Sequence, residues 1–133
     1  MKPPTALVTL LLPLLLPLLL LTSCSPPKEA DYDKLGYSND VFTDPATKAP
    51  FTGIAHQKYK DGKQRAEYPF KNGKFDGTVK EWHPNGKPSA ETEFKNGERS
   101  GKNIEWTTDG KPFRERVYDH DHIVSEKNYD AAK

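Results

Sequence analysis

A spacing of 24 residues recurs through the chain from about residue 50 onward, and a repeat this strict admits few folds. Gly53, Gly77 and Gly101 obey it, as do Gly62, Gly86 and Gly110; Lys63, Lys87 and Lys111; Glu67, Glu91 and Glu115; and the aromatic set Phe70, Phe94 and Tyr118. Five series in phase mean one supersecondary unit, copied and stacked, so the period must be interpreted before any single element.

Each unit carries two turn signals. Asp61-Gly62, Asn85-Gly86 and Asp109-Gly110 form one set, and Asn72-Gly73 and Asn96-Gly97 the other. A two-residue type I′ loop needs positive φ at both central positions, which Asn or Asp followed by Gly supplies at little steric cost, so hairpins closed by such loops are expected at both. The turn glycines lie alternately 11 and 13 residues apart, leaving strands of about seven to nine residues between them. Residues 64–70 alternate as a strand should, with Ala66, Tyr68 and Phe70 on one face and Arg65 and Glu67 on the other; residues 88–94 repeat the pattern with Ala90, Thr92 and Phe94. Gly53, Gly77 and Gly101 fall inside the opposite strands, where glycine marks a bulge or a close backbone approach. The fold class expected is all-β: an antiparallel β-meander of three consecutive 24-residue hairpin repeats in one extended sheet.

The N-terminus has a different character. Lys2 precedes an apolar run from Ala6 to Leu21, and Leu21-Thr22-Ser23-Cys24 follows, with the only cysteine of the chain at its end. A charged start, an apolar centre and small residues before a cut site are the parts of a secretory signal peptide. A spanning helix is disfavoured, because the run falls short of about 20 apolar residues and Pro13 and Pro17 each remove a helical hydrogen bond. A plain secretory signal with an incidental cysteine is one reading. The other is a lipoprotein signal: Leu at −3, small residues at −2 and −1 and Cys24 at +1 resemble the lipobox of bacterial lipoproteins. That resemblance implies cleavage of residues 1–23 and a diacylglyceryl group on the Cys24 thiol, with no other cofactor. It also implies a location in the bacterial cell envelope, on the outer membrane where one exists, since Ser25 lacks the acidic retention signal.

Cleavage there leaves 110 residues with 19 Lys and Arg against 19 Asp and Glu, so no basic field is offered to nucleic acid. A lone cysteine excludes an internal disulfide. Residues 24–40, with Pro26, Pro27 and several charges, are expected as a lipidated N-terminus and flexible tether. Residues 41–128 form the repeat domain and 129–133 a tail.

The units Phe75-Asp76-Gly77-Thr78-Val79-Lys80-Glu81-Trp82-His83-Pro84-Asn85-Gly86-Lys87 and Arg99 through Lys111 resemble the MORN-variant repeat of bacterial envelope and secreted proteins, and Pro50-Phe51-Thr52-Gly53 resembles the opening of such arrays. The first unit departs from the pattern, with Lys58 at the tryptophan position and the aromatic displaced to Tyr59, and Asp119-His120-Asp121 replaces a Lys-Asn-Gly turn. The resemblance implies an extended meander in which each hairpin packs mainly on its neighbours. Composition agrees: past residue 23 there are one Leu, three Ile and four Val but fourteen aromatic residues, too few aliphatics for a thick core. Some members of the family carry antitoxin or immunity-like names, and MORN repeats in the broad sense are associated with protein contacts or lipid surfaces. What transfers to this chain is a non-catalytic binding or scaffold module for a protein partner.

Three residue sets are candidates for recognition or chemistry. Trp82 and Trp106, equivalent residues of consecutive repeats, should project from one face roughly 9–10 Å apart at about 4.8 Å per strand, with Tyr59 beside them. That spacing suits anchors for a protein partner or, alternatively, stacked sugar rings of an envelope glycan; the structural alternative is that they fill the only apolar seam of the sheet. His120 and His122, flanked by Asp119 and Asp121, would share a strand face as a minimal metal site, but two imidazoles without a third ligand favour a polar, poorly formed last turn. Glu67, Glu91 and Glu115 recur in every unit, which argues for cross-strand charge pairs rather than acid and base catalysis. His56 and His83 match no other histidine and are expected to be exposed.

Overall fold

The computed structural model describes residues 26–129, so Cys24 and the apolar run before it lie outside the described residues. Eleven strands are present: β1 (Glu29–Asp31), β2 (Gly36–Ser38), β3 (Val41–Thr43), β4 (Gly53–Lys58), β5 (Gln64–Lys71), β6 (Lys74–Phe75), β7 (Gly77–Trp82), β8 (Pro88–Lys95), β9 (Glu98–Trp106), β10 (Pro112–Asp119) and β11 (His122–Asn128). Nine of them build one sheet in the order β1-β4-β5-β7-β8-β9-β10-β11, with β6 beside β5, while β2 and β3 form a separate small hairpin. The meander from β4 to β11 is antiparallel throughout. The all-β repeat architecture is therefore as expected, with two departures from a single antiparallel sheet: β1 joins β4 in parallel, and β2 and β3 form a second sheet.

The two turn types differ, contrary to the expectation of type I′ at both. Asn72-Gly73 and Asn96-Gly97 have positive φ at both residues and are type I′. At the other end only Gly62, Gly86 and Gly110 are positive, and the amides of Tyr59, His83 and Thr107 each bond the carbonyl four residues on, at 2.8 Å. These are wider loops, a type I turn closed by a left-handed glycine, and each is accompanied by a register shift in the flanking pair, at Gln57/Lys58, Glu81/Trp82 and Pro112/Arg114. His120 and Asp121 (φ 48° and 64°) form a proper type I′ turn leading into β11, so the last turn is well made although it lacks glycine.

Stacking of the repeats has its own hydrogen-bond ladder. Gly73, Gly97 and Asp121 donate their amides to the carbonyls of Phe51, Phe75 and Arg99 at 2.7, 2.8 and 3.0 Å, each turn being tied to the unit before it. At the opposite end Lys63 and Lys87 donate Nζ to the Pro84 and Asp109 carbonyls at 3.1 and 2.8 Å, so these recurring lysines clamp the next loop. In the strands, Gly53 and Gly101 have φ of 149° and 114°; a side chain at Gly53 would overlap the Lys28 carbonyl oxygen and one at Gly101 the Glu93 carboxylate. The close approach expected of these glycines is present.

One sheet face carries a core of aromatic rings. Phe51, Ala55 and Phe70 are buried, and Tyr32, Leu35, Phe42, Tyr68 and Phe75 pack on them. Ring centroids lie 4.9 Å apart for Phe42–Phe70, 4.8 Å for Phe70–Phe75 and 4.4 Å for Tyr32–Tyr68. Ala30, Tyr32 and Leu35 of this core come from the segment expected as a tether. Residues Glu29–Ser38 are ordered because the sheet gives them partners: the Lys28 carbonyl accepts the Ile54 amide at 2.8 Å, Lys28 pairs with the buried Asp44, and the 3-10 turn Tyr32–Lys34 drops the Tyr32 ring onto Tyr68. Asp44 also caps its own loop through the amides of Ala46 and Thr47 at 2.8 and 2.9 Å. The domain thus begins near residue 28 rather than 41, and it holds a real core at its N-terminal half.

Candidate functional site

The segment Tyr32–Thr43 covers only the first half of the cored face. Beyond Phe75 the same face continues uncovered, as the cross-strand row Val79–Thr92–Asn103–Arg116 and the neighbouring row Glu81–Ala90–Glu105–Arg114. Aromatic rings bound this open half: Tyr68 and Phe75 on the side of the core, Phe94 with its centroid 5.3 Å from that of Phe75, and the buried Tyr118, over which Arg99 lies 4.4 Å from the ring centre. The result is a groove of roughly 280 Å³ whose floor is polar and whose walls are aromatic.

Two groups in the groove are left without partners. Asn103 is 5% exposed; its amide nitrogen donates to Thr92 Oγ1 at 2.9 Å and to the Glu91 carbonyl at 3.4 Å, whereas its Oδ1 has no partner among the described residues. A buried acceptor left unmatched costs about 1–3 kcal/mol. Glu81 is half-buried and makes no ion pair or hydrogen bond among the described residues; burial raises its pKa, the Arg65 charge partly opposes this, and Glu105 adds to it. Its counterpart one repeat on is fully engaged: Glu105 accepts Arg114 Nη2 at 2.5 Å and Arg116 Nη1 at 3.3 Å, and Arg116 Nε reaches Glu126 at 2.7 Å. Burial also pushes the Tyr68 phenol up to about 12, with the Glu81 charge contributing, so it stays neutral. The arrangement can hold a ligand by stacking and hydrogen bonds.

The tryptophans sit elsewhere. Strand alternation puts Trp82 and Trp106 opposite the face of Val79 and Asn103, at the strand ends beside the glycine loops, and both are half-buried. They are not the apolar seam, which lies on the other face. Tyr59 is not their displaced equivalent either: its hydroxyl donates to the Trp82 carbonyl at 2.7 Å, as the His83 Nε2–H donates to the Trp106 carbonyl at 2.9 Å, so Tyr59 and His83 are the matched pair. His83 is accordingly half-buried and bonded rather than exposed, and His56 likewise meets Gln64 through Nδ1 at 3.2 Å.

His120 and His122 do not share a strand face, because His120 occupies the type I′ turn and bonds Asp119 at 2.7 Å. Among the described residues no three metal-ligating side chains converge. Of the recurring glutamates, Glu67 pairs across the sheet with Lys80 at 3.8 Å, and Glu115 accepts the Tyr129 hydroxyl at 2.8 Å. Sequence reasoning missed Glu81, Asn103, Glu105 and Arg116: Glu81 and Glu105 recur at the 24-residue spacing in only two units, with Gln57 in the first, and Asn103 and Arg116 belong to no series of one residue type. The available signal was a break in period: Val79 is followed one repeat later by Asn103, a polar residue at a buried position.

Residues 75–96 match the family model described as MORN repeat variant, the stretch from β6 through β7 and β8 to the Asn-Gly turn. No curated protein and no solved structure matches the chain significantly.

Proposed function

We propose that this protein is a non-catalytic recognition module, anchored to the cell envelope through a lipid on Cys24, that holds a protein partner in the open half of its cored face. The observation that carries the reading is the contrast within one face: the first half is sealed by the chain's own Tyr32 and Phe42, while the second has aromatic walls and the half-buried Glu81, which has no ion pair or hydrogen bond among the described residues. A MORN repeat variant in the middle of the sheet is compatible with a binding role. An antitoxin or immunity-like partner is one form such a module takes. Envelope glycan binding through Trp82 and Trp106 is the competing reading, favoured by their equivalent register two strands apart.

The test is affinity capture from solubilised envelopes with residues 25–133, alongside Glu81→Arg and a Trp82→Ala, Trp106→Ala pair, each confirmed folded. We expect one protein retained by the wild type and by the tryptophan pair but lost by Glu81→Arg. Loss with the tryptophan pair alone would move the surface to the opposite face, and retention of wall glycan without protein would replace this reading by the glycan one.

A further inference from the structure

The way β1 is locked into the sheet decides which end of the molecule a membrane anchor can hold. β1 runs parallel to β4 with Glu29 opposite Ile54 and Asp31 opposite His56, so the chain enters at the Gly53 end of β4. That end carries the Asn72-Gly73, Asn96-Gly97 and His120-Asp121 turns, whereas β4 points toward the Asp61-Gly62 loop at the far end. Lys28 is held there by its backbone bond to Ile54 and by its ion pair with Asp44. Cys24 precedes Lys28 by four residues, two of which are Pro26 and Pro27. A leash of that length reaches about 14 Å at most, and the prolines stiffen it. The nine residues of β9 span about 30 Å. No pose is therefore open in which the anchor holds the membrane against the Asp-Gly loops alone.

A flat pose would need a face that attracts headgroups. The face opposite the core carries the cross-strand row Glu67–Lys80–Glu91–Ile104–Glu115–Lys127, in which three acids meet two bases. The row is nearly charge-balanced and offers no basic field, and the tryptophans of this face, Trp82 and Trp106, are half-buried at the strand ends farthest from the leash, so a lipid surface gains little from lying flat against it. We propose that the Asn-Gly turn end is the membrane-proximal end of this protein and that the strands stand away from a lipid surface, presenting the Asp-Gly loops and the Trp82 and Trp106 strand ends outermost. The inference rests on the anchored reading above. It deepens that reading by giving the partner a direction of approach: the groove opens sideways, within reach of proteins standing on the same membrane.

The experiment uses the full, membrane-processed chain in vesicles of phosphatidylethanolamine and phosphatidylglycerol that contain headgroup-spin-labelled lipid. A fluorophore is attached through Lys95→Cys at the Asn-Gly end or Thr108→Cys at the Asp-Gly end, both exposed positions, the acylated Cys24 being unavailable for labelling. We expect the protein to float with the vesicles and the label at position 95 to be quenched several-fold more than that at position 108. Equal quenching, or stronger quenching at 108, with the protein still floating, would overturn the orientation and leave the anchoring intact. Failure to float would overturn the anchoring and this inference with it.

Discussion

Single residues in this protein are constrained for different reasons, and substitutions separate them. Gly53 and Gly62 both have positive φ, 149° and 85°, but a side chain at Gly53 meets the Lys28 carbonyl while nothing lies within 4 Å at Gly62. Gly53→Ala should cost about 3 kcal/mol, combining strain with a displaced β1, and Gly62→Ala about 1 kcal/mol from backbone strain alone. Urea unfolding of the two variants checks this, and equal losses would contradict the steric account. Glu81 tests the groove. Its folded pKa lies above its ordinary value because burial disfavours the charged form, so the protonated group is tolerated below the ordinary carboxylate range and stability is lost as pH rises through the folded value. At neutral pH the ionised Glu81 is thus a net cost. Glu81→Gln should raise the melting temperature at pH 7, with the gain shrinking toward pH 4, while weakening partner retention. A lower melting temperature at pH 7 would mean that Glu81 serves the fold rather than a ligand.

At the scale of elements, the 3-10 turn and β1 are as much part of the domain as any hairpin. Tyr32 and Leu35 pack on Phe42, Tyr68 and Phe70, and burying two such side chains contributes about 3–5 kcal/mol before β1 is counted. A chain of residues 26–133 should therefore melt cooperatively, whereas residues 41–133, the span the repeats alone delimit, should be destabilised on the order of 3–5 kcal/mol and bind a hydrophobic dye on the exposed Tyr68 and Phe75. Equal melting of the two would show the N-terminal segment to be a tether after all. This element was hidden in the sequence for a physical reason. Pro26, Pro27 and the charges around Asp31 give it no periodicity of its own, and its order comes from contacts with residues more than twenty positions away, such as Ile54 and Tyr68. The hairpins were legible because each is local: alternation sets the strand faces, and Asn-Gly sets a type I′ loop. Asp61-Gly62 and its equivalents were misread in type because the dipeptide suits either loop, and the residues before it, among them Tyr59, His83 and Thr107, decide by closing the wider ring.

For the molecule as a whole, the sequence by itself determined the fold class, the number and register of the repeats, and the positions where only glycine fits, since all of these follow from local periodicity and backbone sterics. Its N-terminal pattern also supplied the expectation of an anchor at Cys24, on which the proposed orientation depends. Only the tertiary structure decided which face holds the core, that Tyr32 and Phe42 close half of it, and that Asn103 Oδ1 and Glu81 are left unmatched among the described residues in the other half. The same holds for the tryptophans, whose alternation placed them opposite Val79 but whose remoteness from the apolar core appeared only once the strands were assembled. The reason is that strand alternation says which residues share a face, whereas what covers that face depends on where distant parts of the chain return, and nothing in a 24-residue repeat encodes the return of the segment that precedes it.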